Sequence, residues 1–364
     1  MSYVYVANFL GGNVSVIDTK VNQLISNIFV GGLPFATILS PSGRYCYVLR
    51  PGSPGDVTVI DTKDHRMGAT IQVGAVASMG IPEVPIAITH DGQRVYVANN
   101  GSNSITVIDT KDYRVVATIQ VDDTPLYIAT TPDNQFVLVV NSGFSLGVSS
   151  VTVIETESNQ VIATILLEDF ATNIQITPDS QYAYISNINS SSVSVMGIKT
   201  KEIIATVSVE DRPFALAATA DGQYVYVANS QLFDAAGGNT VSVIETKTNQ
   251  VIATVGVGSN PIALAVTADG RYLYVANSQI TDGSGGNTVS VIETKTNQVI
   301  ATVGVGVQPL KLGITADDRY VYVANSAETG IPGGNTVSVI ETKTNQVIST
   351  VGVGLQPIAL AVTF

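Results

Sequence analysis

The sequence predicts an all-β fold: a single closed β-propeller of eight four-stranded blades. Three observations predict it. One six-residue string recurs eight times in 364 residues, each copy sits among four short alternating runs, and the chain starts and stops inside a repeat. Repeats of about 45 residues, each built from four strands, are the mark of propeller blades.

The string YVYVAN at 3–8 returns as YCYVLR at 45–50, RVYVAN at 94–99, FVLVVN at 136–141 and YAYISN at 182–187. It returns again as YVYVAN at 224–229, YLYVAN at 272–277 and YVYVAN at 320–325. In the copy that begins at Pro213, run A is PFALAAT at 213–219 and run B is 224–229. Run C is NTVSVIET at 239–246 and run D is QVIATVGV at 250–257. Ala220-Asp221-Gly222 separates A from B, and Lys247-Thr248-Asn249 separates C from D. Period-two alternation broken by short Gly, Asn and Asp turns describes an antiparallel meander. The weakest copies, 171–177 and 192–198, keep the spacing and the alternation, which favours eight blades over the nearest alternative, seven.

The chain opens on run B and ends on run A at 357–363. Blade 1 is therefore expected to combine 1–30 with 357–364. Pairing the last run with the first would close the ring and hide two sheet edges that otherwise invite aggregation.

Composition narrows the function classes. A net charge of −12 and a pI near 4.5 argue against nucleic acid as a partner, because phosphate backbones are repelled. No apolar run approaches the roughly 20 residues of a membrane span. Cys46 is the sole cysteine, so no internal disulfide forms. The opening MSYVYVAN lacks the basic start and apolar stretch of a signal peptide, so a cytoplasmic monomer is expected, or an exported one if a leader precedes Ser2.

The consensus TPDG-x-x-VYVAN, NTVSVIDT and VIATI-x-VG, carried by 219–229 and 239–258, resembles the YVTN-type β-propeller repeats of microbial surface-layer and exported proteins, a WD-like class of repeat. The resemblance covers nearly the whole chain and implies the fold. It leaves function open among surface proteins, binding modules, and some lyases and lactonases. Residues 239–258 and 287–306 are identical, and 335–354 differ only at Ser349. Residues repeated so closely are scaffold, so function is expected where one blade breaks the pattern.

In a meander propeller the A–B and C–D turns share one face, and the D–A and B–C loops share the other. The turn face repeats Asp/Glu-Thr-Lys, as at 18–20 and 245–247. Turn capping, with Lys neutralising the neighbouring acid, explains it better than a docking ring. The two histidines, His65 and His90, also fall on this face, which argues against His-based catalysis or metal binding. The loop face carries the variation: B–C loops at 142–150, 230–238, 278–286 and 326–334, and a long D–A loop at 74–82 with Met79 and Ile81. Binding residues commonly sit on such loops.

Two sets of residues break the repeat. Asp122, Asp123, Glu168, Asp169, Glu210 and Asp211 make three successive D–A loops acidic. They read as a calcium or magnesium site, or as a solvated rim. On strand A, two places after its proline, three blades have Ala215, Ala263 and Ala359; others substitute Pro85, Tyr127, Asn173 and Lys311. Together with Gln175, Arg212 and Arg50, which replaces the strand-B asparagine, these form a ligand-binding candidate set: Arg50, Tyr127, Asn173, Gln175, Arg212 and Lys311. They read as a pocket for a polar or anionic small molecule, or as the lining of a water-filled channel.

The expected function is a binding or scaffold propeller with a ligand pocket at the channel mouth, taking a small molecule or a protein on the loop face. The first alternative is a cytoplasmic lyase, isomerase or lactonase acting without histidine on a small polar molecule. The second is a surface-layer component.

Overall fold

The structure, a computed structural model, describes residues 2–77, 85–143, 147–167, 170–230, 238–278, 287–326 and 334–363. The B–C loops at 230–238, 278–286 and 326–334 lie mostly outside the described residues, as do 144–146 of the first such loop and 78–84, which carry Met79 and Ile81.

Among the described residues thirty-two strands form eight separate four-stranded antiparallel sheets, each ordered D–C–B–A. The fold is an eight-bladed β-propeller with no helix among the described residues. Strand bounds follow the sequence pattern closely. In blade 6 they are Pro213–Ala218, Tyr224–Asn229, Thr240–Glu245 and Gln250–Gly256. The two weak copies are regular strands, Ala171–Ile176 and Ser192–Gly197. Blade 1 closes as expected: Tyr3–Asn8 pairs with Pro357–Val362, with Val4 opposite Val362 and Asn8 opposite Pro357. No helix among the described residues is long and apolar enough to cross a membrane.

The chain packs as two compact units, 1–33 with 207–364 and 34–206. The first holds blades 1, 6, 7 and 8. Its core lies at the seams between blades, as where Tyr226, Val241 and Val243 of blade 6 meet Leu273, Val275 and Ile292 of blade 7. The second holds blades 2 to 5 and is built the same way. Leu126, Leu138 and Val153 of blade 4 pack on Ile174, Ile185 and Met196 of blade 5. Each such side chain contributes about 1.5–3 kcal/mol when fully buried.

Strand D is each sheet's free edge. Seven of the C–D pairs shift register, as between Val243 and Ile244, so that Ile252 is an extra residue opposite no partner. A bulge of this kind spoils the edge as a template for another chain.

The turn face differs from expectation in one respect. Among the described residues no lysine forms an ion pair with its neighbouring acid. The acids are engaged otherwise. Asp18 accepts the Lys20 N–H at 2.7 Å and Asp61 that of Lys63 at 2.8 Å, while Glu245 accepts the Thr248 hydroxyl at 2.7 Å. The lysines of these triplets are exposed, where an ion pair gains little.

Candidate functional site

Seven blades end strand B in an asparagine that is almost wholly buried: Asn8, Asn99, Asn141, Asn187, Asn229, Asn277 and Asn325. Each donates its amide to two strand-C side chains; Asn99 reaches Ser104 at 3.1 Å and Thr106 at 2.8 Å. Arg50 is the exception, and its strand C compensates. Its guanidinium binds Asp56, with Nε 2.7 Å and Nη2 2.6 Å from the carboxylate. The exchange keeps strands B and C locked but turns a neutral lock into an ion pair. The charge of Arg50 is thus already met within blade 2.

On the loop face, the residue before strand A takes a left-handed backbone in five blades: Thr124, Arg212, Asn260, Gln308 and Gln356, with φ between 51° and 56°. Its carbonyl accepts an N–H from the next B–C loop, as Arg212 does from Ser230 at 2.9 Å and Asn260 from Ser278 at 2.9 Å. Arg212 therefore holds a scaffold position, with a non-glycine residue in a sparsely populated region. Its place before Pro213 was visible in the sequence; the backbone conformation was not.

Blade 2 has a reinforced loop base. Gly52 and Val76 exchange backbone hydrogen bonds at 2.9 Å each, and the Asn100 side chain grips both the N–H and the carbonyl of Ala77, at 2.7 and 2.8 Å. The long D–A loop therefore leaves from a fixed platform.

The remaining candidates divide between the units. Tyr127 is 1% exposed and packs in the core of blades 4 and 5. Asn173 and Gln175 are half-buried on one strand, and both turn inward to the backbone. Asn173 Oδ1 accepts the Ile174 N–H at 2.8 Å, and Gln175 Nε2 donates to the Ile176 carbonyl at 2.9 Å. Of the acidic arc, Asp122 accepts the Ser150 hydroxyl at 2.6 Å, and Asp123 receives a long hydrogen bond from Asn103 at 3.4 Å. Glu210 and Asp211 are exposed, whereas Glu168 and Asp169 lie outside the described residues. No cluster of three or more His, Cys, Asp or Glu suited to a metal ion occurs among the described residues.

Lys311 stands apart. It lies on the inner strand Pro309–Ile314 of blade 8, half-buried, opposite Ala324 near the loop end of strand B. The strands on either side, Pro261–Val266 and Pro357–Val362, carry Ala263 and Ala359 at its level in the repeat. Gly313 lies two residues on, on the same strand face, and a Cβ there would collide with Leu360 and Val362. The Lys311 ammonium has neither an acidic nor a hydrogen-bonding partner among the described residues. Burial lowers its pKa, since desolvation disfavours the charged form.

Open grooves occur elsewhere. One of about 390 Å³ separates the turns of blades 8 and 1, beside Lys20 and Arg319, and a smaller one of about 170 Å³ separates those of blades 2 and 3. Both belong to the seams of the turn face and repeat scaffold chemistry.

Comparison with known proteins can now be set beside this geometry. The family model "Cytochrome D1 heme domain" matches residues 67–211, less than half of the chain. Comparison with curated proteins gives no match. Among solved structures, a dihydro-heme d1 dehydrogenase, NirN, in complex with DHE is similar with a TM-score of 0.76 at 14% identity, over 98% of this chain and 73% of that one. A Kuenenia stuttgartiensis hydrazine synthase is similar with a TM-score of 0.63 at 22% identity, over 85% and 95%. A functionally unknown protein from Desulfotomaculum acetoxidans DSM 771 is similar with a TM-score of 0.62 at 17% identity, over 99% and 98%. At these identities the likeness shows the β-propeller fold.

Proposed function

We propose that the chain is a β-propeller binding protein that takes a small anionic molecule at the loop end of its inner strands, with Lys311 as the counter-charge. The observation that carries this reading is the half-buried Lys311, whose ammonium has no partner among the described residues. A desolvated charge left unpaired is costly, and an anion beside it restores what burial removes. The chain's overall charge of −12 repels anions at long range, so selectivity would come from this short-range contact.

The partial match to a family named for a haem supports ligand binding by a propeller of this kind. The described His, Cys and Met residues place no iron ligand at the loop end of an inner strand, however; Met67 lies at the turn end of an outer strand. His65 and His90 sit in the turns of the opposite face, and Cys46 and Met196 are fully buried in strands. Burial also raises the Cys46 thiol pKa, keeping it protonated. No iron ligand is therefore assigned, and the reading rests on the lysine.

The test is thermal stabilisation by oxalate, citrate and inorganic phosphate, in wild type and in Lys311→Ala. The variant restores the alanine of the sibling blades and is expected to fold. A ligand at a hundred times its Kd stabilises by about 2.7 kcal/mol. Stabilisation of the wild type that disappears in Lys311→Ala is expected; equal shifts in both proteins would rule the site out.

A further inference from the structure

Eight of the nine lysines, at 20, 63, 111, 199, 201, 247, 295 and 343, lie in C–D turns, and all but the half-buried Lys201 are exposed. Lys311 is the ninth and the sole lysine on an inner strand. It is half-buried, flanked by alanine-sized side chains and Gly313, and no carboxylate among the described residues pairs with it. A lysine so placed has two ways to relieve its desolvation: to gain an anion or to lose its proton. The binding reading uses the first. The second leaves a neutral amine, which is a nucleophile.

We propose that Lys311 is an imine-forming lysine that captures small aldehydes or ketones at the loop end of the inner strands. The Nζ lone pair forms a bond to the carbonyl carbon, and the carbonyl oxygen takes up a proton to give a carbinolamine. Loss of water then leaves a C=N bond. No redox partner is consumed, and hydrolysis returns the free amine. The lowered pKa of Lys311 is consistent with this role, which rests on the reading that small molecules reach this end of the strands.

Anion and carbonyl compete for the same nitrogen, one for its charged form and one for its neutral form. The two readings can therefore be separated. The protein of residues 1–364 is incubated at pH 7 with glycolaldehyde and cyanoborohydride, which reduces the imine to a stable secondary amine, and each lysine is followed by peptide mass. The eight turn lysines are internal controls. Lys311 is expected to be modified at least tenfold faster than any of them, and saturating oxalate is expected to protect it. Modification no faster than at the turn lysines overturns the imine, even if oxalate still stabilises the protein; the anion site then stands alone. Selective modification without any anion-induced stabilisation has the reverse meaning. Lys311→Arg provides a further separation, because it retains a cation while forming no imine. It is expected to keep the oxalate shift.

Discussion

At the scale of single residues, the seams show which identities matter. Where blade 7 meets blade 8, and blade 8 meets blade 1, the inner tyrosine of strand B reaches across to the left-handed residue of the next blade's C–D turn. Tyr274 donates to Asn345 Oδ1 at 2.9 Å, and Tyr322 donates to Asn22. Blade 4 carries Leu138 in place of that tyrosine, and the matching turn residue of blade 5 is Lys201, which lies over the Phe136 ring at 5.3 Å. Both partners change together. At the seam of blades 6 and 7 the equivalent Tyr226 hydroxyl and Asn297 amide oxygen are buried without a hydrogen bond. Asn345→Ala is therefore expected to cost about 1–3 kcal/mol, because it strands a buried hydroxyl. Asn297→Ala should cost less, and denaturant melts of the two variants check the difference.

A second residue-scale effect is acid sensitivity. The Thr219 hydroxyl donates to Asp221 at 2.6 Å and the Gln223 N–H at 3.0 Å, and these bonds hold the carboxyl below its ordinary value. Its folded pKa is thus below its unfolded one, near 3.9. The stabilisation is full above the unfolded value and is lost as pH falls through the folded value. Asp221→Asn is expected to cost about 1 kcal/mol at neutral pH. Urea melts across pH should show a shallower acid limb in the variant, and parallel limbs would reject the assignment.

At the scale of elements, strand identity was legible because apolar alternation and turn residues agree in every copy. The pattern recovered strand B of blade 6 to the residue, and the other three strands within one residue. What the string of letters hides is contact across the repeat. The consensus TPDG makes glycine the natural left-handed residue of the A–B turn, yet Asn134, Ser180 and Asp318 occupy it with φ of 60°, 59° and 55°. The reason is a neighbour's unpaired backbone. Asp318 accepts the N–H of Ala268 at 2.7 Å and of Asp269 at 2.9 Å, in the preceding blade. Arg50 was recognised as an exception, but its partner Asp56 could not be named without the register of strands B and C. Lys311 was legible as a break in the alanine row. That it has no partner among the described residues could be read only from three dimensions.

At the scale of the molecule, the C-terminal strand completes the first blade, and Thr363 ties the ends with hydrogen bonds to Ser2 and Tyr3 at 2.6 and 2.7 Å. Deleting 357–364 would expose the unbulged edge of Tyr3–Asn8, unlike the bulged outer strands. We propose that residues 1–364 form one cooperative domain. The intact chain is then expected to give one calorimetric transition, and the deletion to form high-mass species in size exclusion. A monomeric, cooperatively melting deletion would refute this role for the last strand.

The paired chemistry of the seams bears on how such a chain changes length. Blades 6, 7 and 8 share nearly the same C–D hairpin, and each carries a tyrosine on strand B and an asparagine in its C–D turn. A gene recombination that dropped one 48-residue copy, 261–308, would bring Tyr226 against Asn345 and leave no mismatched pair. The same event between blades 4 and 5 would bring a tyrosine or an asparagine against Leu138 or Lys201. Copy number is thus free to drift among blades 6 to 8 and held at blades 4 and 5.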